Sequence, residues 1–228
     1  MRMMACSGGL LAGCRGPQSA LDPAGPAAEA IAQSWWLMFW GASAVWVVVL
    51  VLLLLALRGR GREPLRRPYR LIVVGGLLLP TVALAALLVH GSLGSSRVTG
   101  HGAAVDAVIE VTARQWQWEF RYLDREGQLI AATIDELVMP LGRMVEFRIT
   151  SQDVIHSFWV PRLGGKIDAI PGRVNTLRLR ADQMTPMRGQ CAEYCGLDHA
   201  KMDFNVRVLA PAAHARWLAQ AAPMESAQ

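Results

Sequence analysis

The sequence predicts a two-helix transmembrane hairpin followed by a small all-β domain, a Greek-key sandwich or barrel, and three observations carry that prediction. Two runs without a charged residue, Trp35 to Leu57 and Leu71 to Val89, are 23 and 19 residues long, and about 20 apolar residues of helix cross a hydrocarbon core. Arg58, Arg60, Arg62, Arg66, Arg67 and Arg70 cluster between the two runs, which marks that loop as cytoplasmic. Beyond Gly102, short segments of alternating polarity are punctuated by Pro140, Gly142, Pro161, Gly164, Pro171, Gly172 and Pro186, the pattern of several short strands joined by turns.

Taken in order, residues 1–13 read as a lipoprotein-type signal peptide. Arg2 precedes a mildly apolar stretch that closes on Leu11-Ala12-Gly13-Cys14, and small residues before a cysteine suit lipidation at Cys14. The competing reading leaves Cys6 and Cys14 as incidental thiols. Residues 14–34, rich in Pro, Gly and Ala, read as an exposed tether. The first span is 35–57, the Arg-rich loop 58–70 and the second span 71–90, with Trp35, Trp36 and Tyr69 near the ends where amphipathic aromatics settle. Pro80 should kink the second span. A Gly/Ser linker, 91–105, leads into the globular domain at 106–211, and 212–228 read as a C-terminal tail.

The net charge is +5, which raises nucleic acid as a partner. From Gly91 onward, however, 15 Lys and Arg balance 15 Asp and Glu. The excess therefore belongs to membrane topology, and no nucleic acid is implied. In the globular part Val108 to Tyr122 alternates, with Trp116, Trp118, Phe120 and Tyr122 on one face. Met144 to Thr150, Val174 to Arg180 and Met202 to Val208 are further strand candidates.

The chemistry concentrates in Gly189 to Phe204, GQCAEYCGLDHAKMDF. Cys191, Cys195, His199 and Met202 follow at spacings of four, four and three, and thiolate, imidazole and thioether favour copper over calcium, magnesium or manganese. Zinc in a Cys2His2 site and a Cys191–Cys195 disulfide are the rivals. Met202 is a poor zinc ligand and has no purpose beside a disulfide. His156, in DVIHSFWVP and close to the Val145–Ile149 alternation, is the best further nitrogen donor. His90 ends an apolar run, His101 lies in the linker and His214 in the tail. Two thiols, two imidazoles and a thioether exceed the needs of one copper ion and suit a pair bridged by both thiolates.

HSFWVPRLGGKIDAIPGRVNTLRLRAD, followed by MRGQCAEYCGLDHAKM, resembles the CuA domain of subunit II of haem-copper cytochrome c oxidase over most of Ile109 to Ala210. The resemblance implies a cupredoxin-like fold holding two copper ions, with His156, Cys191, Cys195, His199, Met202 and the Glu193 carbonyl as ligands. It implies that Trp116 accepts electrons from cytochrome c while Trp118 is core. It implies that Gly164 to Arg173 faces the haem-bearing subunit I, and that the Glu193 side chain reaches a magnesium ion shared with that subunit. Asp168 and Arg173 otherwise read as a surface ion pair. The implied setting is a bacterial plasma membrane, crossed more than once, with the copper domain and both termini periplasmic and other oxidase subunits as partners.

Members of this family commonly carry a glutamate about two turns before the proline of the second helix, on a proton-uptake path. Here no acid lies between Glu63 and Pro80. A quinol oxidase subunit would lack the copper ligands, and the absence of Cys-x-x-Cys-His means the chain carries no c-type haem of its own. A copper-containing nitric oxide reductase subunit and a copper storage or chaperone lipoprotein are the remaining alternatives. The last would need neither Trp116 nor GGKIDAIPGR.

Overall fold

The computed structural model describes residues 15–59, 68–100 and 102–221. The signal peptide with Cys14, the arginines at 60, 62, 66 and 67, His101, and the last seven residues lie outside that range. The chain forms two compact units, Gln33 to Ser95 and, separately, the residues up to Ala32 together with those from Ser96 on.

The helical unit contains most of helix α1 (Pro26–Leu57) and a second helix in three pieces: α2 (Pro68–Val73), a π-helical turn (Val74–Leu78) and α3 (Leu79–Thr99). Both helices are long and apolar enough to cross a membrane. The π turn sits where the kink was expected. Pro80 has no N–H for the Gly76 carbonyl and its ring would strike that carbonyl, so the ladder shifts one residue earlier and the Leu79 N–H bonds to Val74 O. Ser34 Oγ lies 3.2 Å from His90 Nε2, joining α1 to α3.

The second unit is a sandwich of two five-stranded sheets. One sheet has the order β3 (Leu129–Ile134), β2 (Gln117–Leu123), β1 (Ala107–Arg114), β5 (Met144–Ser151), β8 (Asn175–Arg180). The other has β4 (Glu136–Pro140), β10 (Asp203–Leu209), β9 (Met187–Cys191), β6 (His156–Trp159), β7 (Ile167–Ala169). Most pairs are antiparallel; β1 with β5 and β4 with β10 are parallel, because the chain leaves one sheet and returns in the same direction.

Alternation places the core. Ile109, Val111 and Ala113 on β1, Trp118, Phe120 and Tyr122 on β2, Val145, Phe147 and Ile149 on β5, and Phe204, Val206 and Val208 on β10 are buried, each two residues after the last. Trp118, Phe120, Phe147, Phe158 and Phe204 meet at its centre, with the Phe158 and Phe204 rings stacked at 5.3 Å. His156, Ser157 and Phe158 are all buried, as befits a strand covered on both faces.

Four sequence expectations need correction. Val108 to Tyr122 is not one strand but a hairpin: Arg114 pairs with Gln117 across a turn at Gln115–Trp116, which leaves Trp116 off the strand. Of the expected tether 14–34, the described residues are not free. Ala24 N–H bonds to Arg162 O, Ala28 N–H to Leu163 O and Arg188 N–H to Pro17 O, and Ala24, Ala27, Ala28 and Ala32 are buried, since small side chains let a backbone lie flat on the domain. The presumed linker 91–105 is helical up to Thr99, with Gly100 following at φ +63 as a left-handed helix end. The tail holds helix α4 (Pro211–Gln220), whose Trp217 packs on Tyr122 at 4.9 Å and whose His214 is buried; Pro211 at its first turn is a start signal that the Ala-rich run obscured.

Candidate metal centre

His156 opens β6 and Cys191 closes the neighbouring β9, where Phe158 pairs with Cys191 in register. The loop from Cys191 to Met202 then folds back on itself, because β10 must return antiparallel to β9. Its base is tied by Cys191 N–H to Met202 O (2.9 Å) and by Ala192 N–H to Ser157 O (2.9 Å). A short 3-10 turn, His199–Lys201, brings His199 and Met202 inward. Met202 lies just ahead of β10, in phase with Phe204 and Val206, and its side chain is buried.

The donor atoms form a continuous chain of contacts. His156 Nδ1 is 3.8 Å from Cys191 Sγ, the two sulfurs are 3.8 Å apart and unbonded, and Cys195 Sγ is 3.5 Å from His199 Nδ1 and 3.7 Å from Met202 Sδ. The Glu193 carbonyl lies 3.2 Å from Cys191 Sγ. All six ligands expected from the resemblance therefore meet at one place. His214 lies on α4 and His90 in the helical unit, and neither joins this cluster.

The electrostatics suit metal binding. Burial opposes ionisation of Cys191, but hydrogen bonding from His156 and from the Glu193 and Ser157 backbone outweighs it and holds the thiol down at about 6. Burial, reinforced by the charge on Cys191, pushes the Cys195 thiol up. Two adjacent thiolates thus require a cation between them, and sulfur, imidazole and thioether donors fit copper best.

Two further residues escaped the sequence reading. Asp153 Oδ1 lies 2.8 Å from His156 Nε2, which fixes the imidazole with Nδ1 facing the sulfurs. Asp153 in turn accepts from the backbone N–H groups of Gln115 (2.7 Å) and Val154 (2.6 Å). Against the opposing effect of burial, these bonds and His156 keep its carboxyl below the usual range. The Asp-x-x-His spacing was the available signal. Gln115 Nε2 donates to the Cys195 carbonyl at 2.7 Å.

Trp116 is half-buried rather than exposed: a Cβ at Gly196 would lie 3.3 Å from its indole, so the ring lies over the ligand loop. Trp118 is fully buried. Tyr194 and Leu197, at the rim of the loop, are 75% and 92% exposed. Glu193 is also exposed, and its carboxylate lies 3.6 Å from Lys166 Nζ, which also reaches Asp168 at 3.9 Å. The Asp168 partner is thus Lys166, not Arg173. Trp159 Nε1 donates to Gly164 O at 3.0 Å and Asn175 Nδ2 to Asp168 O at 2.7 Å, pinning the 164–173 segment.

Residues 125–209 match the family described as cytochrome C oxidase subunit II, periplasmic domain. Cytochrome c oxidase subunit 2 of Alkalihalophilus pseudofirmus is 35% identical over 222 residues, covering 91% of this chain and 64% of that protein. The Cereibacter sphaeroides protein of the same description is 33% identical over 150 residues, covering 51% and 50%. The chain thus spans half to just under two thirds of the length of these relatives. Among solved structures, the periplasmic domain of subunit II of cytochrome oxidase (CoxB) of Bradyrhizobium japonicum is 34% identical, covering 52% of this chain and 94% of that one, with a TM-score of 0.47.

Proposed function

The chain belongs to the cytochrome c oxidase subunit II family, and from that premise we propose that it receives electrons from a cytochrome c and delivers them to haem in a catalytic partner subunit that reduces oxygen. The observation that carries this reading is the contact chain from His156 Nδ1 through both sulfurs to His199 Nδ1 and Met202 Sδ. We assign these side chains and the Glu193 carbonyl to a pair of copper ions, which supply a one-electron store when bound. The protein's part is to favour the Cys191 thiolate, to set Cys195 beside it where a bound cation would draw off the second proton, to orient His156 through Asp153, and to exclude water with the Trp118, Phe158 and Phe204 core beneath. A rigid, preorganised shell of this kind keeps the ligands in place whether or not an electron is present.

Trp116, lying over the ligand loop and partly open to solvent, is the residue proposed to receive electrons, and the 164–173 segment the surface proposed to meet the haem-bearing subunit. Glu193 is the residue proposed to reach a magnesium ion, and its carboxylate would have to give up its pairing with Lys166 to do so. The arginine-rich loop supports a cytoplasmic hairpin and a periplasmic copper domain in a bacterial plasma membrane, and Leu-Ala-Gly-Cys supports lipidation of Cys14, which mass analysis of the mature N-terminus tests. The functional test is stopped-flow reduction of the copper-loaded chain by ferrocytochrome c. Trp116→Gln should keep its copper and lose rate by at least about tenfold, a barrier change of about 1.4 kcal/mol; a wild-type rate in that variant would remove Trp116 from the path.

A further inference from the structure

Gln115 stands first in the β1–β2 turn, directly ahead of Trp116, and it touches both halves of the ligand set. Its backbone N–H donates to Asp153 Oδ2 at 2.7 Å, and the other oxygen of that carboxylate is the one at 2.8 Å from His156 Nε2. Its side-chain Nε2 donates to the Cys195 carbonyl at 2.7 Å. The next residue of the loop, Gly196, has φ +122, and a Cβ there would come within 3.0 Å of the same Nε2 and 3.3 Å of the Trp116 indole. The turn is therefore seated in a notch that only glycine leaves open. Gln115 is itself an exposed residue, and one neutral hydrogen bond contributes only about 1 kcal/mol to stability. Its contacts reach three parts of the local machinery: the carboxylate behind one imidazole, the backbone of one thiol, and the peptide that carries the tryptophan.

We infer that Gln115 is a positioning residue that locks the Trp116 turn to the Cys195 and His156 sides of the ligand cluster. The lock fixes how the indole approaches the metal loop and restrains Cys195 from swinging outward. It deepens the electron-transfer reading and rests on it. Removing the side-chain donor frees the Cys195 carbonyl and lets the Cys195–Gly196 segment and the turn move independently.

The test uses the full chain in detergent and two variants, Gln115→Glu, which keeps the shape but cannot donate, and Gln115→Leu. In the metal-free protein, alkylation of Cys195 by iodoacetamide, followed by peptide mass spectrometry, should accelerate about fivefold in both variants, the gain in local opening expected from losing one hydrogen bond. The thermal midpoint should move by only a few degrees. In the copper-loaded protein, transfer of copper to a chelator should accelerate by 10- to 100-fold, the EPR signature should change, and reduction by ferrocytochrome c should slow. Wild-type alkylation and wild-type copper transfer in both variants would overturn the inference. So would alkylation of Cys191 and Cys195 rising together in proportion to a fall in the thermal midpoint, which is the mark of a purely structural residue. If the variants respond as expected but the wild-type chain accepts no electrons from ferrocytochrome c, the lock stands and the functional reading fails.

Discussion

Replacing Gly189 by alanine should damage the domain severely, because the added methyl group has no room. Gly189 pairs with Phe204 across β9 and β10, two residues before Cys191. A Cβ at Gly189 would clash with the tip of the Phe204 ring, with the third-nearest ring carbon still only 2.6 Å away, against about 3.5 to 4.0 Å for a carbon–carbon contact. The ring cannot yield freely, because it stacks on Phe158 at 5.3 Å and meets Phe120 at 5.1 Å and Trp118 at 5.7 Å. Overpacking a filled core typically costs about 1 to 3 kcal/mol, and this site belongs at the upper end. For a domain of this size that is a fall in thermal midpoint of roughly 12 °C or more. Because β9 ends in Cys191 and β10 follows Met202, the same shift should loosen copper. Thermal unfolding followed by tryptophan fluorescence, with copper content measured on the same sample, reads both effects. Phe204→Leu combined with Gly189→Ala should recover part of the loss. A Gly189→Ala protein that melts within about 2 °C of wild type and retains its copper would refute the packing argument, since even 1 kcal/mol shifts such a domain by about 4 °C.

Trp118 is fully buried with no hydrogen-bond partner for Nε1 among the described residues. Trp118→Ala should cost about 3 to 5 kcal/mol, while Trp118→Phe should cost clearly less, because it removes an unpaired N–H that itself costs about 1 to 3 kcal/mol; equal losses by chemical denaturation would contradict this. Burial lowers the pKa of His214 below its ordinary 6.5. The unfolded chain therefore takes up a proton that the folded one refuses, so this contribution to stability is complete above pH 6.5 and is lost as pH falls below it. His214→Phe should flatten that acid limb, and an unchanged slope between pH 7 and 5 would exclude His214 as its source. A cysteine engineered at Gly61 should resist membrane-impermeant thiol reagents added outside spheroplasts, whereas one at Glu126 should react; labelling at Gly61 from outside would reverse the topology.

The ligand loop was legible because five of its donor groups fall between Cys191 and Met202, so that spacing alone brings them together. His156 was harder, since its approach depends on β6 lying beside β9, yet few histidines competed for the role. Strand phase was legible where one face is buried, as in β1, β5 and β10, and failed where both faces are covered, as in β4 and β6, whose residues do not alternate. The turn at Gln115–Trp116 was hidden because the alternation of apolar and polar residues runs straight through it. Asp153 and Gln115 act through partners 3 to 80 residues away, and most of those contacts exist only after the sheets have formed. The docked start of α1 and the helix at Pro211–Gln220 are Ala-rich, and alanine marks neither a core face nor a solvent face by pattern.

On the proposed function the Cys191–Met202 loop and His156 together hold two copper ions. Copper analysis and EPR of the purified full chain, loaded with copper and cleared of excess by a chelator, test it most directly. Two copper ions per chain are expected, with one unpaired electron shared between them, and loss of that signature in Cys191→Ser and in Cys195→Ser alike. One copper per chain with a single-ion signal, or zinc retained in preference to copper, would contradict it.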